Sequence, residues 1–200
     1  MSPGFSEPAQ RSRTAALGIV RAVGVAYYFA ARLGLLMQLP GTNASPVWPP
    51  SGIGLAALLL FGPRVWPGVL AGAFIANLLT LPAGPAGVAA AGMIAFGNTA
   101  ELLLARALIL RNAGSAPISD TPRDTAPFDT VRGVFVFALA VAFACTAAAS
   151  VGAASLVAAG IVPPAAAAEV WFTWWLGDSV AMLVLTPARY AWARRPRWGA

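Results

Sequence analysis

An all-α bundle of about six transmembrane helices, with both chain ends cytoplasmic, is the fold that three features of this 200-residue sequence predict. Hydrophobic residues make up 58% and charged residues 10%, with a mean hydropathy of +0.72, so there is too little polar surface to cover a water-soluble globule. Six apolar stretches alternate with connections rich in turn formers. Arginine falls in every second connection: Arg11 and Arg13, then Arg64, then Arg111, Arg123 and Arg132, then Arg189, Arg194, Arg195 and Arg197. The connections near Pro40 to Pro50, Leu81 to Gly87 and Ile161 to Ala168 hold none. Positive charge is retained on the cytoplasmic side, which orients the spans.

Residues Met1 to Thr14, rich in Ser, Pro and charge, read as a disordered cytoplasmic tail. The first span, about Ala15 to Leu39, is longer than a signal-peptide core and contains Arg21 and Arg32, so it is a retained helix. After the Pro40 to Pro50 loop, a helix starts at or just before Ser51. That second span, about Pro50 to Gly62, reaches only about 20 Å against a hydrocarbon core of about 30 Å. It is either an ordinary span extended by Val47 to Pro49, or a half-helix whose open end is sheltered by protein. Span three covers about Arg64 to Thr80, with Pro67 in its first turn, where proline is tolerated. Span four covers about Val88 to Leu110, and Arg111 to Arg132 is a solvated linker. Span five, about Val134 to Ile161, is rich in Ala and Gly, a composition suited to close packing in lipid. Span six, about Ala168 to Arg189, opens on the cluster Trp171, Trp174 and Trp175. The bundle then occupies residues 15–195, and 196–200 form a cytoplasmic tail or the start of a continuation.

The inventory excludes several functions. Histidine is absent and Cys145 is the lone cysteine, so there is no His-based metal site, Ser-His-Asp triad or disulfide, and no catalytic or metal residue is assigned. No cofactor is called for. The net charge of +6 comes from arginines at span ends facing lipid headgroups, not from a basic run interleaved with aromatics, so nucleic acid is not a partner. The bilayer is.

An ionisable group at the bilayer centre costs about 2.5 to 3.5 kcal/mol on insertion scales and needs a partner, water or an escape route. Arg106 is near enough to a span end to snorkel. Arg21 and Arg32, eleven residues apart, share a face with Tyr28, and that face is expected to point into the bundle. Asn98 and Glu101 share a face of span four, and Trp171, Trp174, Trp175 and Asp178 form one stripe of span six. Depths counted along the helices match Arg32 with Asp178 and Arg21 with Glu101 as ion pairs. The bland alternatives are interhelical glue for the polar residues, a cap or contact for Asn77, and an interfacial belt for the tryptophans.

Several segments together resemble a known family: Trp48-Pro49-Pro50-Ser51-Gly52-Ile53-Gly54-Leu55-Ala56, Phe61-Gly62-Pro63-Arg64-Val65-Trp66-Pro67-Gly68, Ala76-Asn77-Leu78, Gly97-Asn98-Thr99-Ala100-Glu101, and Trp174-Trp175-Leu176-Gly177-Asp178 with Thr186-Pro187. Their order and spacing over residues 15 to 195 resemble the first type of membrane-associated sensor domain, an N-terminal input module of bacterial histidine kinases and of diguanylate cyclases or phosphodiesterases. The resemblance implies a multi-pass protein of the bacterial inner membrane with a sensory role, a small-molecule ligand and a cytoplasmic output domain as partner. Trp48, Ser51, Asn77, Asn98, Glu101, Trp174, Trp175 and Asp178 are then the candidate ligand-binding residues, lining an outward-facing pocket capped by the Trp48 loop. Competing readings are a small-solute transporter or substrate-binding membrane subunit, and a scaffold that recruits partners through Arg111 to Arg132.

Overall fold

The computed structural model describes the backbone of residues 7–40, 42–112 and 130–193, and the side chains of 14–40, 42–112, 130–189 and 191–193. All regular structure in these residues is helical: α1 (Glu7–Leu35), α2 (Pro49–Phe61), α3 (Trp66–Leu78), α4 (Pro85–Asn112), α5 (Val131–Ala158) and α6 (Ala167–Ala193), with single 3-10 turns leading into α3 and α6. Most of the expected linker and the 196–200 tail lie outside the described residues. The expected tail at the N-terminus needs a correction: α1 begins at Glu7, so residues 7–14 are helical.

Prolines and glycines set the boundaries. α2 begins on Pro49 and Pro50, which carry no N–H and so remove two of the donors that a helix start leaves without partners. It ends at Gly62, whose φ of 81° lies in the left-handed region, and Pro63 follows immediately. α5 is capped by Thr130, whose hydroxyl accepts from the Gly133 N–H at 3.0 Å.

α1, α4 and α5 are long and apolar enough to cross a membrane. α2 is not, and its position decides between the two sequence readings. Ser51, in its first turn, lies against Glu101, which is about 24 Å along α4 from Pro85, and against Asp178, about 16 Å along α6 from Ala167. α2 therefore starts deep inside the bundle, as the half-helix reading expects, and the preceding loop descends to meet it. Asn43, Ala44, Ser45 and Trp48 are each at most 5% exposed.

Irregular backbone at such depth survives only if its polar groups are satisfied. The loop does so locally. Leu39 N–H donates to the Ala44 carbonyl at 2.8 Å, Ala44 N–H to the Thr42 hydroxyl at 3.1 Å, and the Ser45 hydroxyl to the Val47 carbonyl at 2.9 Å. Pro46 has no N–H to satisfy. The loop is tied to α3 by Asn43 Nδ2, which donates to Asn77 Oδ1 at 2.9 Å, while Asn77 Nδ2 donates to the Ala73 carbonyl at 2.8 Å. Asn77→Ala removes a fully buried acceptor and is expected to cost about 1–3 kcal/mol. Thermal unfolding in detergent measures it, and an unchanged midpoint would discard this tether.

Helix contacts depend on small residues. A Cβ on Gly68 of α3 would stand 2.2 Å from the Val20 carbonyl of α1, and one on Gly52 of α2 would stand 2.3 Å from the Ala181 carbonyl of α6. On α5 the inward stripe is Ala144, Cys145, Ala148, Ala149 and Gly152, while Phe135, Leu139 and Phe143 are exposed. In lipid the large apolar side chains lose nothing by facing outward, and backbone approach selects the small ones for the interior.

The same rule overturns the expected face of α1. Arg21 and Arg32 are exposed and Tyr28 is half-buried, whereas Val23, Gly24, Tyr27, Ala31 and Gly34 are buried. Neither arginine pairs with Glu101 or Asp178, whose carboxyls bond to Ser51 instead. Long arginine stems reach an interface from the lipid side, and a Gly/Ala face packs more closely than a charged one.

Candidate functional site

Three helices converge on one hydroxyl. Ser51 Oγ lies 3.0 Å from Glu101 Oε1 of α4 and 2.5 Å from Asp178 Oδ1 of α6. All three residues are fully buried. The two carboxyls, expected at different depths, meet at the same level because α2 inserts its first turn between α4 and α6.

Around this centre, Asn98 Nδ2 donates to the Tyr27 hydroxyl at 3.3 Å. Tyr27 is held between two glycines that admit its ring, Gly54 of α2 and Gly72 of α3. The Trp48 indole lies over Gly34 of α1, where a Cβ would be 2.8 Å from the ring. It sits at the α2 N-terminus, whose partial positive charge faces the carboxyls.

Several buried polar atoms in this region lack a hydrogen bond of good geometry: Trp48 Nε1, Asn98 Oδ1, Glu101 Oε2, Asp178 Oδ2 and Ser179 Oγ, although Trp48 lies beside the Tyr27 hydroxyl, Ser179 beside Cys145 and Asp178 beside Trp174. An unpaired buried polar atom costs about 1–3 kcal/mol, so each of them calls for an explanation.

Of the expected ligand-binding residues, Trp48, Ser51, Asn98, Glu101 and Asp178 gather here, and Trp174 of α6, 4% exposed, stacks against Gly152 of α5 one turn from Asp178. Asn77 does not join them, because its amide is engaged by Ala73 and Asn43. Trp175 is turned to α5, its indole N–H donating to the Ala142 carbonyl at 2.8 Å, and Trp171 donates to Ser150 at 3.0 Å. These two indoles are stacked, 6.4 Å between centroids. They stitch α6 to α5.

Tyr27 and Asn43 were missed by sequence reasoning. Glycine and alanine at 24, 31 and 34, on the face that carries Tyr27, were the available signal for Tyr27. Asn43 carried no signal beyond its place in a turn-rich loop.

The cluster is closed, since none of its members exceeds 5% exposure. A separate groove of about 550 Å³ runs between α4 and α5 along Ala86, Ala90, Met93, Val151 and Ala154. Its two hydroxyls, Ser150 and Ser155, are both already bonded, which leaves an apolar surface.

Comparison with known proteins gives one match: the family model MASE1 covers residues 19–198, nearly the whole chain. No curated protein and no solved structure matches it.

Proposed function

The chain belongs to the MASE1 family, a family of membrane sensory input domains of signalling proteins, and from that premise we propose that the Ser51 cluster is its sensory site. In this reading a small ligand enters from the side of the Asn43–Trp48 loop, binds among Trp48, Asn98, Glu101 and Asp178, and changes how α2 packs on α6. α6 carries Asp178 and continues to Ala193, so its exit relays the change to a cytoplasmic histidine kinase or diguanylate cyclase/phosphodiesterase output domain. The protein then sits in the bacterial inner membrane with both ends cytoplasmic.

The observation that supports this most is the set of unpaired polar atoms gathered where a half-helix begins. A purely structural polar cluster would gain stability by pairing them. A ligand shifts the equilibrium between two packings only by its differential affinity for them, and unpaired atoms sheltered beneath the Asn43–Trp48 loop supply that difference.

The test is a fusion of the chain to an output domain with a reporter. A Glu101→Gln, Asp178→Asn double variant is expected to insert at the wild-type level and lose the response. Wild-type reporter output from that variant would count against the site.

The half-helix also favours a second reading, a small-solute transporter, because discontinuous helices at mid-depth are a device of transporter sites. Solute flux into proteoliposomes separates the two, since a sensor gives none.

A further inference from the structure

The contacts around Ser51 cannot all be made by the atoms present on the three side chains. A serine hydroxyl has one hydrogen, and both of its close neighbours are carboxyl oxygens. If the hydroxyl donates to Asp178, the Glu101 contact needs a second positive centre between two oxygens, and the reverse holds equally.

The surroundings do not supply one. Among the described residues, the titratable groups that face the pair are Tyr27 from α1 and Cys145 from α5; α2 and α3 contribute no titratable side chain. Arg106, the cation that follows Glu101 on α4, donates its Nε to the Leu58 carbonyl at 3.0 Å, not to either carboxyl. Arg21 and Arg32 are exposed on the far side of α1. The remaining unpaired atoms are mostly acceptors. Glu101 Oε2, Asp178 Oδ2 and Asn98 Oδ1 stand against two obligate donors, the Trp174 indole beside Asp178 and the Trp48 indole beside Tyr27, with the Ser179 hydroxyl able to act as either, and neither indole brings a charge. Asn98 is fully buried on the same face of α4 as Glu101, and its amide reaches the Tyr27 hydroxyl beside both carboxyls. A closed, acceptor-rich site built on two carboxyls takes a small positive charge.

We propose that Glu101, Asp178, Ser51 and Asn98 form a binding site for one small monovalent cation, a proton or an alkali ion. Its arrival draws the two carboxyls onto Ser51 and seats the α2 N-terminus. Its loss leaves like charges facing each other and drives α2 and its loop away from α6. This builds on the reading of the cluster as the sensory site and names its occupant. The test below reads binding alone, so its failure removes the cation and leaves the sensory role to the reporter experiment.

The purified full chain is followed in detergent by thermal unfolding and by tryptophan fluorescence, with Trp48 and Trp174 as local probes. In one arm sodium chloride replaces choline chloride at constant ionic strength and fixed pH. In the other, pH is lowered from about 8 to about 5 in choline chloride. The wild type is expected to gain roughly 5 °C at saturation in one arm. The Glu101→Gln, Asp178→Asn variant is expected to lose that gain, and Glu101→Gln alone serves if the double variant fails to fold. A sodium-dependent gain identifies an alkali ion, and an acid-dependent gain without sodium dependence identifies a proton. No gain in the wild type, or the same gain in the variants, overturns the proposal.

Discussion

Gly177→Ala is expected to unseat the descending loop and lower stability by about 2–3 kcal/mol, a midpoint loss of roughly 4–12 °C for a chain of this size. The new Cβ would stand 2.2 Å from the Ser45 carbonyl oxygen and 3.3 Å from the Pro46 carbonyl carbon. Both are backbone atoms, so no side chain can swing aside. The loop cannot slide away freely either, because Asn43 is bonded to Asn77 and Trp48 is pressed against Gly34. Gly92→Ala is the control. It adds the same methyl group to α4 with nothing within 4 Å, so it should leave stability unchanged or raise it slightly through helix propensity. Equal midpoints for the two variants would show that the close approach at Gly177 contributes nothing.

Ser51→Ala has the second largest expected effect. It deletes the one group that both buried carboxyls contact and leaves their oxygens facing a methyl, which should cost about 2–3 kcal/mol. A double-mutant cycle with Glu101→Gln separates bridging from simple loss of packing. When Ser51 is already alanine, neutralising Glu101 relieves a like-charge contact, so the two changes should fall short of additive by about 1 kcal/mol or more. Additivity within about 0.3–0.5 kcal/mol would mean that the hydroxyl does not couple the two carboxyls.

These two sites differ in how far the sequence revealed them. Ser51, Asn98, Glu101 and Asp178 stood out because polar residues in apolar segments need a reason, and all four meet in one place. Their partners did not stand out. The two ion pairs inferred from depth fail because counting residues along helices locates a side chain to about one turn, and because α1 turns its arginines outward. Gly177 read as one more small residue of a membrane helix, although a carbonyl from a distant loop occupies the space its side chain would fill.

The sequence by itself determined the elements: where α2 to α6 start and stop to within a few residues, since proline and positive-φ glycine act locally, and that the chain is a membrane bundle, since composition needs no coordinates. The tertiary structure alone decided which face of α1 is inside, that the Asn43–Trp48 loop enters the bundle, and that Glu101 and Asp178 share one hydroxyl. In water, burial separates apolar from polar faces and can be read from periodicity. Between lipid and a helical interior, both sides are apolar, so close fit between particular backbones makes the choice, and a single strand of sequence does not contain that fit.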